Sequence, residues 1–145
     1  AYRDAGMAQK LRAWYVLAFQ LRGLAEAGMR ARGWTALRVM SGHHPELARW
    51  IGDLSRPGRL SAALAWYRAN LARLATRRLP NAQVPVLGVW SVGDPALVEA
   101  QMRDSACRVD GPWRYQRIEH AGHWIPLDRP ERLAALALEW FRGEG

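Results

Sequence analysis

The sequence predicts an α/β fold in two parts: a helical half over residues 1–79, and a half over 80–145 that supplies parallel strands and helices. Two observations predict it. Ala, Leu and Arg dominate the first half, and all three are good helix formers. Past residue 83 the pattern changes to the short apolar, β-branched run Val84 to Val92, which ends in Gly93-Asp94-Pro95 as a buried parallel strand does.

In the first half, apolar residues recur at helical spacing from Leu11 to Met29: Leu11, Trp14, Tyr15, Ala18 and Phe19, with Gly23 and Gly28 as punctuation. A second helical segment runs from about Gly33 to Met40. The stretch Ser41-Gly42-His43-His44-Pro45 is a loop, since Pro biases the residue before it away from helix. A third helix is expected from Pro45 to Leu54, a turn at Ser55 to Gly58, and a fourth helix from about Arg59 to Thr76. In the second half, Ala96 to Arg103 reads as a short helix with Pro95 at its first turn. Trp113 to Ile118 reads as a strand, Glu119 to Leu127 as a loop, and Pro130 to Arg142 as a closing amphipathic helix with Leu133, Leu136, Ala137, Trp140 and Phe141 on its apolar side. Two parallel strands make an unstable sheet alone, so the chain is expected to be part of a larger fold.

Composition narrows the function classes. The chain has 145 residues, 50% hydrophobic and 23% charged, which suits a soluble globular protein with a real core. No apolar run reaches the roughly 18 residues of a membrane span. Ala1 to Lys10 is polar and lacks a signal-peptide apolar region, so a cytoplasmic protein is expected. Ala1 is not an initiator Met, and the start reads as a cut or a processing site. Cys107 is the sole cysteine and has no metal-spaced neighbour, and His43-His44 lacks a third ligand, so neither a disulfide nor a metal is expected. The net charge is +8, yet Lys10 is the only lysine and the arginines are spread along the chain, densest at Arg73, Arg77 and Arg78. With no basic stripe interleaved with aromatics, a nucleic-acid partner is not expected.

Two constellations carry chemistry. Asp94 ends a predicted strand, and His123 lies in the loop after the next one, in Ala121-Gly122-His123-Trp124. Reactive groups in open α/β sheets collect beyond the carboxyl ends of strands. There a carboxylate can fix the tautomer of an imidazole whose other nitrogen takes a proton. Spacing alone leaves open the alternative that Asp94 merely caps the next helix. The second constellation is Tyr15 beside Trp14 and Tyr67 beside Trp66, both on helices. Two phenols facing one pocket could hydrogen-bond a developing oxyanion, but aromatics at helical spacing also serve as core. Glu119 and Asp128 read as surface or capping groups, His120 as facing solvent or a strand end, and Trp124 as a packing residue.

The chain resembles the helical cap and C-terminal core of the α/β-hydrolase superfamily, in its epoxide-hydrolase-like branch. Tyr15 to Gly23, YVLAFQLRG, is similar to the family's first cap-helix motif, although Arg22 stands where the family usually has Pro. Ser55 to Asn70, with Pro57, Gly58 and Trp66-Tyr67-Arg68, resembles the later cap motif. Pro85 to Met102 resembles the strand and loop that present the catalytic acid, and Ala121 to Pro130, AGHWIPLDRP, resembles the segment with the catalytic His. The resemblance covers nearly the whole chain, in the family's order. It implies a helical lid over 1–79 and the C-terminal part of the core over 80–145.

The resemblance also implies roles. Tyr15 and Tyr67 would hydrogen-bond an epoxide oxygen. His123, oriented by Asp94, would activate the water that hydrolyses a covalent ester on an Asp nucleophile upstream of this chain. No small-x-nucleophile-x-small motif occurs within it. The expected substrate is small and apolar, an epoxide or an ester, and no cofactor is required. The expected partner is a second copy or a complementing N-terminal half. The rival readings are an esterase or haloalkane dehalogenase on the same fold, and an inactive truncated fragment or binding module.

Overall fold

The computed structural model describes residues 6–76 and 80–143, with the backbone alone at Leu74 and Ala75. Arg77, Arg78 and the expected boundary at residue 79 lie outside the described residues. In chain order the elements are α1 (Met7–Arg12), α2 (Tyr15–Ala18), α3 (Leu24–Met40), α4 (Leu47–Ser55), α5 (Arg59–Thr76), β1 (Val86–Ser91), α6 (Glu99–Asp104), β2 (Trp113–Ile118), α7 (Ile125–Asp128) and α8 (Pro130–Phe141). They form two compact units, one over 13–76 and one combining 6–12 with 80–143. No helix among the described residues is long and apolar enough to cross a membrane.

The first unit is built on α5. This helix contains no Gly or Pro, and the turn before it is made by Gly58 at φ 76°. Leu60, Leu64 and Tyr67 fall at i, i+4 and i+7, on one face. Leu60 and Leu64 are 1% and 3% exposed, and they form a core with Phe19 and Met29 against which Tyr15 and Tyr67 pack. Burying each such side chain contributes about 1.5–3 kcal/mol.

The apolar stripe read from Leu11 to Met29 is broken by the backbone. Helix stops at Arg12, resumes only for Tyr15–Ala18, and turns at Gly23 with φ 78°. Leu11 and Trp14 consequently leave the face they would share with Phe19 and are exposed. The break expected before Gly33 is a kink inside α3, where Arg32, Gly33 and Trp34 all take left-handed backbone.

A buried ion pair ties these pieces together. The Arg68 guanidinium meets both Glu26 carboxylate oxygens, at 2.8 and 3.1 Å, and its Nε donates to the Phe19 carbonyl at 2.7 Å. Glu26 also accepts from the Gly23 N–H at 2.8 Å, the return half of a capping box. The Arg68 hydrogen bonds pull Glu26 from its ordinary 4.5 down to about 2.

In the second unit β1 and β2 pair in parallel, from Val86 opposite Trp113 to Ser91 opposite Ile118. Gly88 has a steric reason: a Cβ there would stand 2.3 Å from the Trp113 ring, which lies over it. Ile118, Ala121 and Leu136 form the buried cluster between sheet and α8. Phe141, read as part of the apolar side of α8, is exposed, whereas Leu136 is 2% exposed.

α1 belongs to this second unit although sequence places it with the helical half, because Gln9 and Arg12 bond to the chain at 94–98.

Because Glu26 is held below its ordinary value, its pairing stabilises the fold fully above about pH 4.5 and is lost as pH falls toward 2. Glu26→Gln should therefore lower the thermal midpoint at neutral pH. The gap to wild type should narrow as acid unfolding is followed through that window. A gap that stays constant with pH would refute the pairing.

Candidate active site

The two strand ends are bonded together past the sheet. The Val92 N–H donates to the Ile118 carbonyl at 3.1 Å, and the Gly93 N–H to the Ala121 carbonyl at 3.0 Å. A Cβ on Gly93 would lie 2.6 Å from that Ala121 oxygen, so only glycine allows the approach. This brings the residue after each strand side by side.

Asp94 is buried at 8% exposure and its two oxygens have different work. Oδ1 accepts from the backbone N–H groups of Ala96 at 2.7 Å and Leu97 at 2.9 Å. Pro95 has no N–H, so Ala96 is the first donor within reach. Oδ2 faces His123 Nδ1 at 2.9 Å. The capping bonds and the bond to His123 thus coexist, one set on each oxygen.

The His123 loop is fixed at three further points. Left-handed His120, φ 55°, turns the chain out of β2. The wholly buried Ser91 hydroxyl donates to the Gly122 carbonyl, and Asp128 Oδ2 accepts from the Gly122 N–H at 2.7 Å. Trp124 stands edge-on to the His123 ring, centroids 5.0 Å apart. His123 itself is 36% exposed at its side chain, open to a reactant.

Burial acts to raise the Asp94 carboxyl, but the His123 hydrogen bond and the Leu97 and Ala96 N–H groups outweigh it and hold it below its ordinary value. The Asp94 hydrogen bond in turn raises His123 above 6.5. With Asp94 ionised, Nδ1 must carry the proton that is donated to it. Neutral His123 then presents a bare Nε2, the form a general base needs.

Tyr15 and Tyr67 lie in the first unit and come together there, with rings 6.3 Å apart and Phe19 against both. Burial raises the Tyr67 phenol. His44 is structural: its Nδ1 accepts from the Glu46 N–H, and its ring stacks on Trp50 at 4.8 Å. No group of three or more His, Cys, Asp or Glu among the described residues could hold a metal ion.

Sequence reasoning missed Ser91, Gln9 and Arg12. A serine closing an otherwise apolar strand is a signal for Ser91. Gln9 and Arg12 have none, because their partners lie more than 80 residues away. Asp128, read as a surface or capping group, holds the Gly122 N–H.

The pair's mutual stabilisation is lost as pH rises through the raised His123 value, and lost again as pH falls through the lowered Asp94 value. In Asp94→Asn the His123 imidazole, followed by NMR, should titrate lower than in wild type; an unchanged midpoint would refute the bond. Gly93→Ala should cost about 1–3 kcal/mol of stability, read by denaturant unfolding, because the strand ends must separate.

No protein-family model matches the chain. Over 101 residues, 68% of the chain, it is 33% identical to epoxide hydrolase A of Mycobacterium tuberculosis, of which this is 31%. Over 94% of its length it is 26% identical to an AB hydrolase superfamily protein of Bacillus subtilis, of which it spans 50%. The chain therefore spans half or less of the curated relatives it matches. Cfl2 from Burkholderia cenocepacia superposes with TM-score 0.71 at 19% identity, over 95% of this chain and 50% of that one. Epoxide hydrolase A from Mycobacterium thermoresistibile does so with TM-score 0.67 at 22% identity, over 97% and 58%. The chain belongs to the α/β-hydrolase superfamily, in its epoxide-hydrolase-like branch, and corresponds to the C-terminal part of that fold.

Proposed function

We propose that this chain supplies the acid–base half of an enzyme that opens epoxides to diols. In this reading 1–79 serve as a helical lid, 80–145 as the C-terminal part of the core, and the nucleophile is an Asp upstream of Ala1. The observation that carries it is the buried Asp94 carboxylate held 2.9 Å from His123 Nδ1, in a chain similar to an epoxide hydrolase.

The reaction divides into two steps. An Asp carboxylate attacks a ring carbon, the carbon–oxygen bond breaks, and the freed oxygen takes a proton from Tyr15 or Tyr67, giving a hydroxy-ester and a tyrosinate. His123 Nε2 then removes a proton from water, and the hydroxide adds to the ester carbonyl. The ester bond breaks, its oxygen leaves with the remaining water proton, and the carboxylate is restored. His123 gives its proton to solvent, and the tyrosinate takes one from it. The sum is epoxide plus water to diol, with no cofactor.

The tyrosine roles rest on the two motifs and on the closeness of the rings within the first unit. An epoxide oxygen gains charge as it leaves, and a phenol is the acid that can meet it without being ionised at neutral pH.

The test begins with the coding DNA upstream of Ala1, followed by assay of the whole encoded protein on an aryl epoxide. Diol should form. His123→Gln should lower turnover about 10²–10⁴-fold and accumulate the ester, visible by mass spectrometry as one substrate mass added to an upstream Asp. Ester hydrolysis without epoxide turnover, on a Ser nucleophile, would replace this reading with an esterase.

A further inference from the structure

We infer that Gln9, assisted by Arg12, is a positioning residue for the Asp94–His123 pair: α1 acts as a clamp on the backbone that aims the Asp94 carboxylate. The inference rests on the reading of Asp94 and His123 as the acid–base pair.

Gln9 is a polar side chain 4% exposed on a helix of six residues, a placement with a cost unless both ends of its amide are bonded. Both are. Nε2 donates to the Ala96 carbonyl at 2.8 Å, and Oε1 accepts from the Val98 N–H at 2.9 Å. One planar amide thus fixes two backbone groups two residues apart. Three positions on, and so on the same face of the helix, Arg12 donates from one guanidinium nitrogen to the Asp94 carbonyl at 3.0 Å and to the Leu97 carbonyl at 3.4 Å.

These are the residues that cap Asp94. Ala96 gives its N–H to Asp94 Oδ1 and its carbonyl to Gln9, so that residue is gripped from both sides. Leu97 gives its N–H to the same oxygen, while its carbonyl takes Arg12 and the Trp90 indole N–H at 3.2 Å. Tilting the 94–98 turn would carry the Asp94 carboxylate along with its two donors and so move Oδ2 off His123. Nothing in the chemistry of a six-residue helix calls for a buried glutamine; the acid loop does.

Gln9 touches neither His123 nor a reactant, so its effect must pass through Asp94. In Gln9→Ala the His123 imidazole should titrate at lower pH than in wild type, by NMR, and in the whole enzyme kcat should fall about 10–100-fold with KM changed far less. Gln9→Met keeps the size and the charge but bonds neither the Ala96 carbonyl nor the Val98 N–H; it should move both readings the same way and covers the case in which Gln9→Ala does not fold. Met7→Ala, on the exposed side of the same helix, should move neither. Asp94 on the His123 ring, Asp128 on the Gly122 N–H and the Arg12 guanidinium on the Asp94 carbonyl are left intact by all three variants. A folded Gln9 variant with an unchanged His123 midpoint would overturn the clamp. A shifted midpoint in a protein that turns over no epoxide would sustain the clamp and overturn the hydrolase reading instead.

Discussion

The site depends on how one buried carboxylate is shared. Asp94 sits where an unpaired ion would cost several kcal/mol. Three hydrogen bonds to the charged form, each contributing about 1.5–3 kcal/mol, are enough to reverse that cost, and the carboxyl ends below its ordinary value. Because two of the three donors are backbone N–H groups, the carboxylate is fixed in direction before the imidazole is considered. The bond to His123 then selects the tautomer as well as the position.

The imidazole side is held by a different set of bonds. Ser91, Asp128 and the Gly93 N–H all act on the backbone at 121–122, the two residues before His123. None of them touches the ring. The loop is positioned through its peptide groups, which leaves Nε2 and a third of the side chain available. Left-handed His120 is part of the same arrangement, since strain of that kind persists only where neighbouring bonds over-determine the backbone.

Much of this was legible in sequence, for physical reasons. β2 and α5 fall on the residues expected, because an alternating run and an uninterrupted Ala/Leu/Arg stretch each allow one backbone. Asp94 and His123 were legible because both follow strands that must be neighbours for the sheet to form. What was not legible depends on distance along the chain. Leu11 and Trp14 have helical spacing but lie at a helix end, and periodicity cannot register the break. The assignment of α1 to the second unit turns on Gln9 meeting residues 96 and 98, and no local pattern encodes such a meeting. The Arg68–Glu26 pair is similar: Arg68 stood in a recognised motif, but its partner 42 residues away did not.

The described sheet has only two strands, and the chain spans half or less of its curated relatives. A parallel pair of that size cannot place the Asp94–His123 dyad by its own rigidity. The dyad is nonetheless formed, because the bonds that fix it begin and end inside one unit: Gln9 and Arg12 on the acid loop, Asp94 on its own turn, Ser91 and Asp128 on the histidine loop. The geometry of the pair is here a local property, set by about six side chains acting on backbone groups. The Asp94–His123 bond can therefore be followed through the imidazole itself, separately from any turnover.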